Sequence, residues 1–183
     1  MRKNFGPKSM SFPLPVLIVG TYDENNVPNI MTAAWGGIYD TNMFYLCLSD
    51  DHKTTANIRL KKAFTISFGT EDTAKICDYV GMVSANDIPN KVELTKIDSY
   101  KSSFVEAPLF VKFPVALECV LDHFNEDGIV VAKIININAD ENTIDANGNI
   151  DINKFKPIIY NSFNNSYVSL GKEVQKAFIT EKI

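Results

Sequence analysis

At 183 residues, with 45% hydrophobic and 22% charged side chains, the chain is long enough to bury a real core as a single domain spanning 1–183, and its composition is that of an ordinary soluble globular protein. A net charge of −4 argues against a general nucleic-acid binder, and no apolar run is long enough to span a membrane. Cys47, Cys77 and Cys119 lie far apart and form no CxxC pair, so metal-ligand spacing is absent; their odd number fits a reducing compartment, the cytoplasm.

Residues 1–12 read as a loosely structured arm. The apolar residues 16–19 begin a strand that runs to Tyr22, and Asp23-Glu-Asn-Asn26 supplies turn residues. Residues 29–35 return as a second strand, so the pair predicts a hairpin. Along the return strand Met31, Ala33 and Trp35 face one way and Ile30, Thr32 and Ala34 the other, and Gly36-Gly37 ends it. A third strand covers 43–49. A helix over 53–62 follows, with Ala56, Leu60 and Ala63 as its apolar stripe. Residues 63–68 alternate, Phe64, Ile66 and Phe68 against Thr65 and Ser67. Thr70 opens a second helix with an acidic first turn and an inward stripe of Ile76, Val80 and Val83.

Residues 84–108 mix polarity with weak periodicity, which marks a functional segment or a subunit contact. Residues 114–124 and 129–138 are strands joined by the turn Asn125-Glu-Asp-Gly128. Val115, Leu117, Cys119 and Leu121 share one face of the first, and Val131, Ile135 and Ile137 match them on the second. A polar loop over 139–156 turns tightly at Asn147-Gly148. Residues 157–160 and 167–170 are short strands, and 171–177 a short terminal helix. About eight strands joined mostly by hairpins, with two main helices and no regular βαβ repeat, predict a mainly β fold, an antiparallel β-barrel decorated with helices.

Most catalytic patterns are absent. There is no G-x-S-x-G elbow, no GxGxxG and no Walker sequence. A calcium-loop reading of 140–151 puts Thr143 and Lys154 at ligand positions that need acids. Two stretches remain. In Ser49-Asp-Asp-His-Lys-Thr-Thr55 a strand hands over to a helix through hydroxyls and a lysine. This suits either a capped helix start or a cradle in which helix N–H groups, Lys53, Thr54 and Thr55 hold a phosphate. In Asn29-Ile-Met-Thr-Ala-Ala-Trp35 the small side chains either leave the backbone open to a flat ligand covered by Trp35, or fill a tight barrel interior with Trp35 in the core.

Together, Asn29-Ile-Met-Thr-Ala-Ala-Trp-Gly-Gly37 and Ser49-x-x-His-Lys-Thr-Thr-x-Asn-Ile58 resemble the flavin reductase-like, flavoredoxin-type proteins. The arm Lys3-Asn-Phe-Gly6, the strand from Pro15 to Asp23, Val80-Gly-Met-Val-Ser84 with Asn90-Lys-Val92, and the tail from Lys156 to Gly171 are similar as well. The resemblance implies a Greek-key-like FMN-binding split barrel, acting as a homodimer with FMN near the interface. It places the isoalloxazine against Met31, Thr32, Ala33, Ala34 and Trp35, with Asn29 at the start of that strand. It places the phosphate at the turn containing Ser49 and His52, with Lys53, Thr54 and Thr55 as matching positions. Ser84 and Lys91 correspond to a family Ser-Gly-x(n)-Lys motif that also lines the site; here Ala85 replaces the usual glycine and Val80 stands where a cysteine is common. The implied activity is transfer of hydride from NADH or NADPH to flavin and of electrons onward. The alternative is a flavoredoxin-like electron carrier serving a redox-protein partner. No acid–base catalyst is implied, because the cofactor carries the chemistry.

Overall fold

The structure, a computed structural model, describes residues 1–178. The predicted first hairpin forms. After a two-residue strand β1 (Leu14–Pro15), β2 (Leu17–Tyr22) pairs antiparallel with β3 (Pro28–Ala33), Leu17 opposite Ala33 and Tyr22 opposite Pro28. Two residues later the chain enters β4 (Gly36–Asp40), which turns back into β5 (Met43–Leu46). Gly36-Gly37 therefore does not end strand structure but starts it. A Cβ on Gly36 would stand 2.7 Å from the Tyr45 carbonyl oxygen, so glycine permits a close approach of two strands there.

Helix α1 (Lys53–Lys61) leads into β6 (Ala63–Phe68), and α2 (Ala74–Met82) follows a single 3₁₀ turn capped by Thr70. The stretch 84–108 contains a short helix α3 (Lys91–Thr95), β7 (Ser99–Lys101) and the start of β8 (Pro108–Phe110), elements too brief to leave a period in the sequence. β9 (Val115–Phe124) and β10 (Val130–Ala139) form the long predicted hairpin. A short helix α4 (Ile152–Phe155) precedes β11 (Ile158–Asn161) and β12 (Ser166–Ser169), which build a small sheet with β1. Residues 171–176 form no helix: they are exposed and bury nothing that would offset the cost of nucleating one.

Seven strands form the main antiparallel sheet in the order β3-β2-β6-β9-β10-β5-β4. Its two terminal strands are consecutive in the chain and separated only by Ala34 and Trp35, a span of about 10 Å at most. The sheet must therefore roll until its ends meet, which gives a barrel closed by the chain and left unpaired along one seam. The interior holds Leu17, Val19, Met31, Phe64, Ile66, Leu117, Cys119, Val130 and Ala132. A second apolar layer outside, around Ile18, Ile30, Cys77, Val80, Phe110 and Ile158, seals the sheet beneath α2.

Three facing patterns differ from expectation. On β10, Val130, Ala132 and Ile134 point inward while Ile135 and Ile137 are exposed, and a bulge between Ile134 and Asn136 leaves Ile135 without a partner in the register. On α2 the innermost residues are Cys77 and Val80. On α1, Ala56 and Leu60 face solvent; the buried side is Thr54, Thr55, Asn57 and Ile58. A mostly polar face can be buried because it is hydrogen-bonded: Asn57 Nδ2 donates to Thr21 Oγ1 at 3.0 Å, and Asn29 Nδ2 donates to Thr54 Oγ1 at 2.9 Å and to Thr21 Oγ1 at 3.2 Å. None of the described helices is long and apolar enough to cross a membrane.

Candidate functional site

Where α1 begins beside β3, a cleft of about 190 Å³ opens. β3 contributes Asn29 and Met31, the α1 start His52, Lys53 and Thr54, the end of α2 Gly81 and Met82, the next turn Val83, Ser84 and Ala85, and α3 its first residue, Lys91. Three local interactions set these walls. Thr32 Oγ1 donates to the Cys77 carbonyl at 2.6 Å, and Gly81 lets α2 lie close to Thr32. Thr55 Oγ1 donates to the Ser49 carbonyl at 2.8 Å, closing the turn before α1. Asn86 Nδ2 donates to the Asp51 carbonyl at 2.9 Å, tying that turn to the loop after α2.

The start of α1 is not capped. His52 occupies the cap position without a side-chain hydrogen bond, and the first turn holds no acid. The hydroxyls are engaged elsewhere, Thr54 with Asn29 and Thr55 with Ser49. The free N–H groups and positive dipole end of a nine-residue helix are thus available to an anion, with the Lys53 amine beside them. Two polar atoms of residues lining the same cleft are buried with no partner: Asn29 Oδ1, an acceptor on a side chain only 5% exposed, and His52 Nδ1. Buried polar atoms are rarely left unpaired, so the cleft calls for a ligand that brings both an anion and hydrogen-bond donors.

Lys91 is almost fully buried. Its amine donates to the Val83 carbonyl at 2.7 Å and the Val80 carbonyl at 3.3 Å, satisfying the end of α2, and a third proton remains. Burial pushes its pKa down to about 8. Ser84 Oγ accepts from the Asn86 N–H at 3.1 Å.

Of the sequence-predicted positions, Asn29, Met31, His52, Lys53, Thr54, Ser84 and Lys91 line this one cleft. The others lie elsewhere. Thr32 faces α2, Ala33 the barrel interior, and Thr55 is buried beneath the turn. Ala34 and Trp35 border a separate hollow with the 8–11 arm, Tyr45 and Cys47. Trp35 and Ser49 border a third, beside residues 127–129. Trp35 is 57% exposed, so within one chain it is neither core nor cover. The backbone open to a flat ligand is the free edge of β3, a terminal strand, rather than its faces.

Sequence reading did not find Glu24, whose carboxylate pairs with Lys53, nor the buried roles of Thr21 and Asn57. All three depend on contacts between α1 and the β2–β3 hairpin, distant in sequence, and leave no local periodic signal.

A model of the flavin reductase like domain matches residues 9–167. No curated protein sequence matches the chain. Among solved structures it is similar to flavoredoxin of Desulfovibrio vulgaris (Miyazaki F), with 32% identity, a TM-score of 0.95 and full coverage of both chains. Flavoredoxin from Methanosarcina acetivorans is similar at 22% identity and a TM-score of 0.87, over 98% of this chain and 97% of that one. An FMN-binding domain of a flavin reductases-like enzyme from Shewanella baltica OS155 shares the fold at 19% identity and a TM-score of 0.77, over 88% of each chain. The rolled seven-stranded sheet with its unpaired seam is the split barrel that the motifs imply. With the family model matched over most of its length and a full-length relative at 32% identity, the chain belongs to the flavin reductase-like family.

Proposed function

We propose that the chain binds FMN and acts as an NAD(P)H-dependent oxidoreductase of the flavin reductase type. The observation that carries this is the uncapped α1 start beside Lys53, in one cleft with the unpartnered polar atoms of Asn29 and His52. FMN fits those needs: its phosphate suits the helix N–H groups and the lysine, and its ribityl hydroxyls, which donate and accept, suit the buried polar atoms. Ligand pockets usually exceed about 300 Å³, so the 190 Å³ cleft takes the phosphate and ribityl end rather than a whole flavin. The β3 edge, Met31, Ala34 and Trp35 are assigned to the ring end, and Ser84 and Lys91 to the wall opposite Asn29. When bound, FMN supplies hydride acceptance and the passage of electrons to an acceptor. The chain's residues bind and orient it and keep its phosphate end out of bulk water.

A homodimer completes this reading. Trp35, Ile38 and Tyr39 leave exposed apolar surface along the terminal strand β4, which a second copy would cover. Sedimentation of a flavin-loaded monomer would overturn it. Free Cys47, Cys77 and Cys119 suit a cytoplasmic setting.

A yellow purified protein whose flavin band bleaches promptly on mixing with NADH or NADPH is the expected result. A colourless protein whose thermal stability ignores added flavin would sink the proposal. The second reading, an electron carrier without a nicotinamide site, is favoured by the full-length likeness to a flavoredoxin. There the protein is yellow but neither nicotinamide bleaches it. Lys53→Ala is expected to raise the Kd for FMN roughly tenfold, worth about 1.4 kcal/mol, and to leave riboflavin binding unchanged. Fluorescence titration with both flavins checks this.

A further inference from the structure

The cation of the phosphate cradle is already engaged. Lys53 Nζ lies 3.1 Å from Oε2 of Glu24, in the turn between β2 and β3. That turn is held in place from both sides. Within it, Asp23 Oδ1 accepts from the N–H groups of Asn25 and Val27 at 2.8 Å each. Outside it, Lys61 Nζ at the far end of α1 donates to Asn26 Oδ1 at 2.6 Å. The turn is thereby laid along the helix, with Glu24 at the helix start and Asn26 near its end. Among the described residues Glu24 is the one carboxylate within ion-pair distance of Lys53. Its carboxyl is held below the usual range by a backbone hydrogen bond and by Lys53, so it is charged at neutral pH.

We infer that Glu24 is an intramolecular competitor for the phosphate: it occupies Lys53 when the cleft is free, gives way when a phosphorylated flavin enters, and so weakens FMN retention relative to a chain without it. This rests on the FMN reading above. The physics is selective. A phosphate carries more charge than a carboxylate and can also take the helix N–H groups, so it wins the lysine, but only against the pair already formed. A neutral flavin meets no such competition. Glu24 is largely exposed, at 60%, so its effect is modest and salt-dependent, a tuning of affinity rather than a block.

Flavin fluorescence titrations of the full chain, with FMN and with riboflavin, test this in four forms: wild type, Glu24→Gln, Lys53→Ala and the double variant. Glu24→Gln is expected to tighten FMN roughly three- to fivefold, chiefly through slower dissociation, and to leave riboflavin within about twofold. In the Lys53→Ala background the gain should largely vanish, since nothing is left to compete for. Unchanged FMN affinity in Glu24→Gln, a parallel gain for riboflavin, or an equal gain with Lys53 absent would each overturn the competition. If Lys53→Ala binds FMN as wild type does, the phosphate assignment itself fails, a result separate from the others.

Discussion

Lys91→Met is expected to fold and to lose a pH dependence that the wild type has between about pH 8 and 10.5. Lys91 is 2% exposed and its amine has carbonyl partners, Val80 and Val83, with no carboxylate within ion-pair distance among the described residues. Burial lowers its pKa from 10.5 to about 8. Below pH 8 both the folded and unfolded chains carry the proton, and the cost of burying a charge is present in full. Between the two values the unfolded chain keeps a proton that the folded chain has released, so stability rises with pH. The whole swing is about 3 kcal/mol, and about 2 kcal/mol of it falls between pH 8 and 10. Methionine fills similar volume and does not titrate. Urea unfolding of both proteins across this range should therefore show the wild type gaining on the variant by about 2 kcal/mol, other titrating groups cancelling in the difference. A constant difference would mean that the amine is hydrated. An anion in the cleft favours the charged amine, so FMN should flatten the wild-type slope.

The parts of the fold that could be read locally are those with a strict local period. The alternation of Phe64, Ile66 and Phe68, the Asn125-Glu-Asp-Gly128 turn and the β2–β3 hairpin need only neighbours in sequence to specify them. Gly36-Gly37 was illegible because a glycine that ends a strand and one that lets two strands meet look alike until the partner is known. The α1 stripe inverted for a related reason. Ala56 and Leu60 have helical spacing, but the helix turns its hydroxyls and amide inward to meet Thr21 and Asn29, and hydrogen bonding outweighs the small apolar gain. Ile135 and Ile137 are exposed because the interior face of β10 runs through Val130, Ala132 and Ile134; Val130 and Val131 are both buried, so the start of the strand does not tell which phase faces the interior. At the site, Lys53 and Thr54 could be picked out because they sit where a strand becomes a helix. Glu24 could not, since nothing in a turn sequence says which helix it will lie against.

Gly36→Val is expected to cost about 3 kcal/mol, at the upper end of what overpacking does, while Gly37→Val should cost less than about 1 kcal/mol. At Gly36 a Cβ would stand 2.7 Å from both Leu46 Cδ2 and the Tyr45 carbonyl oxygen and 2.9 Å from Leu17 Cδ1. Leu17 and Leu46 are fully buried in the barrel interior, and a backbone oxygen in a strand cannot step aside. Relief must come from β4, which is free to move because it ends the sheet. Its displacement would break the Gly36–Leu46 pairing and open the seam over Met31 and Ala33. At Gly37 the nearest atom is Cε1 of the half-buried Tyr45 ring, 3.3 Å away, and that ring can swing toward solvent. Thermal or urea unfolding of the two variants separates these cases; equal losses would show that the approach of β5 to Gly36 carries no special closeness. Because Ala34 and Trp35 alone join β4 to β3, opening the seam also loosens the strand that bears Asn29. The Gly36 variant should therefore lose flavin affinity along with stability, and Gly37→Val should keep both.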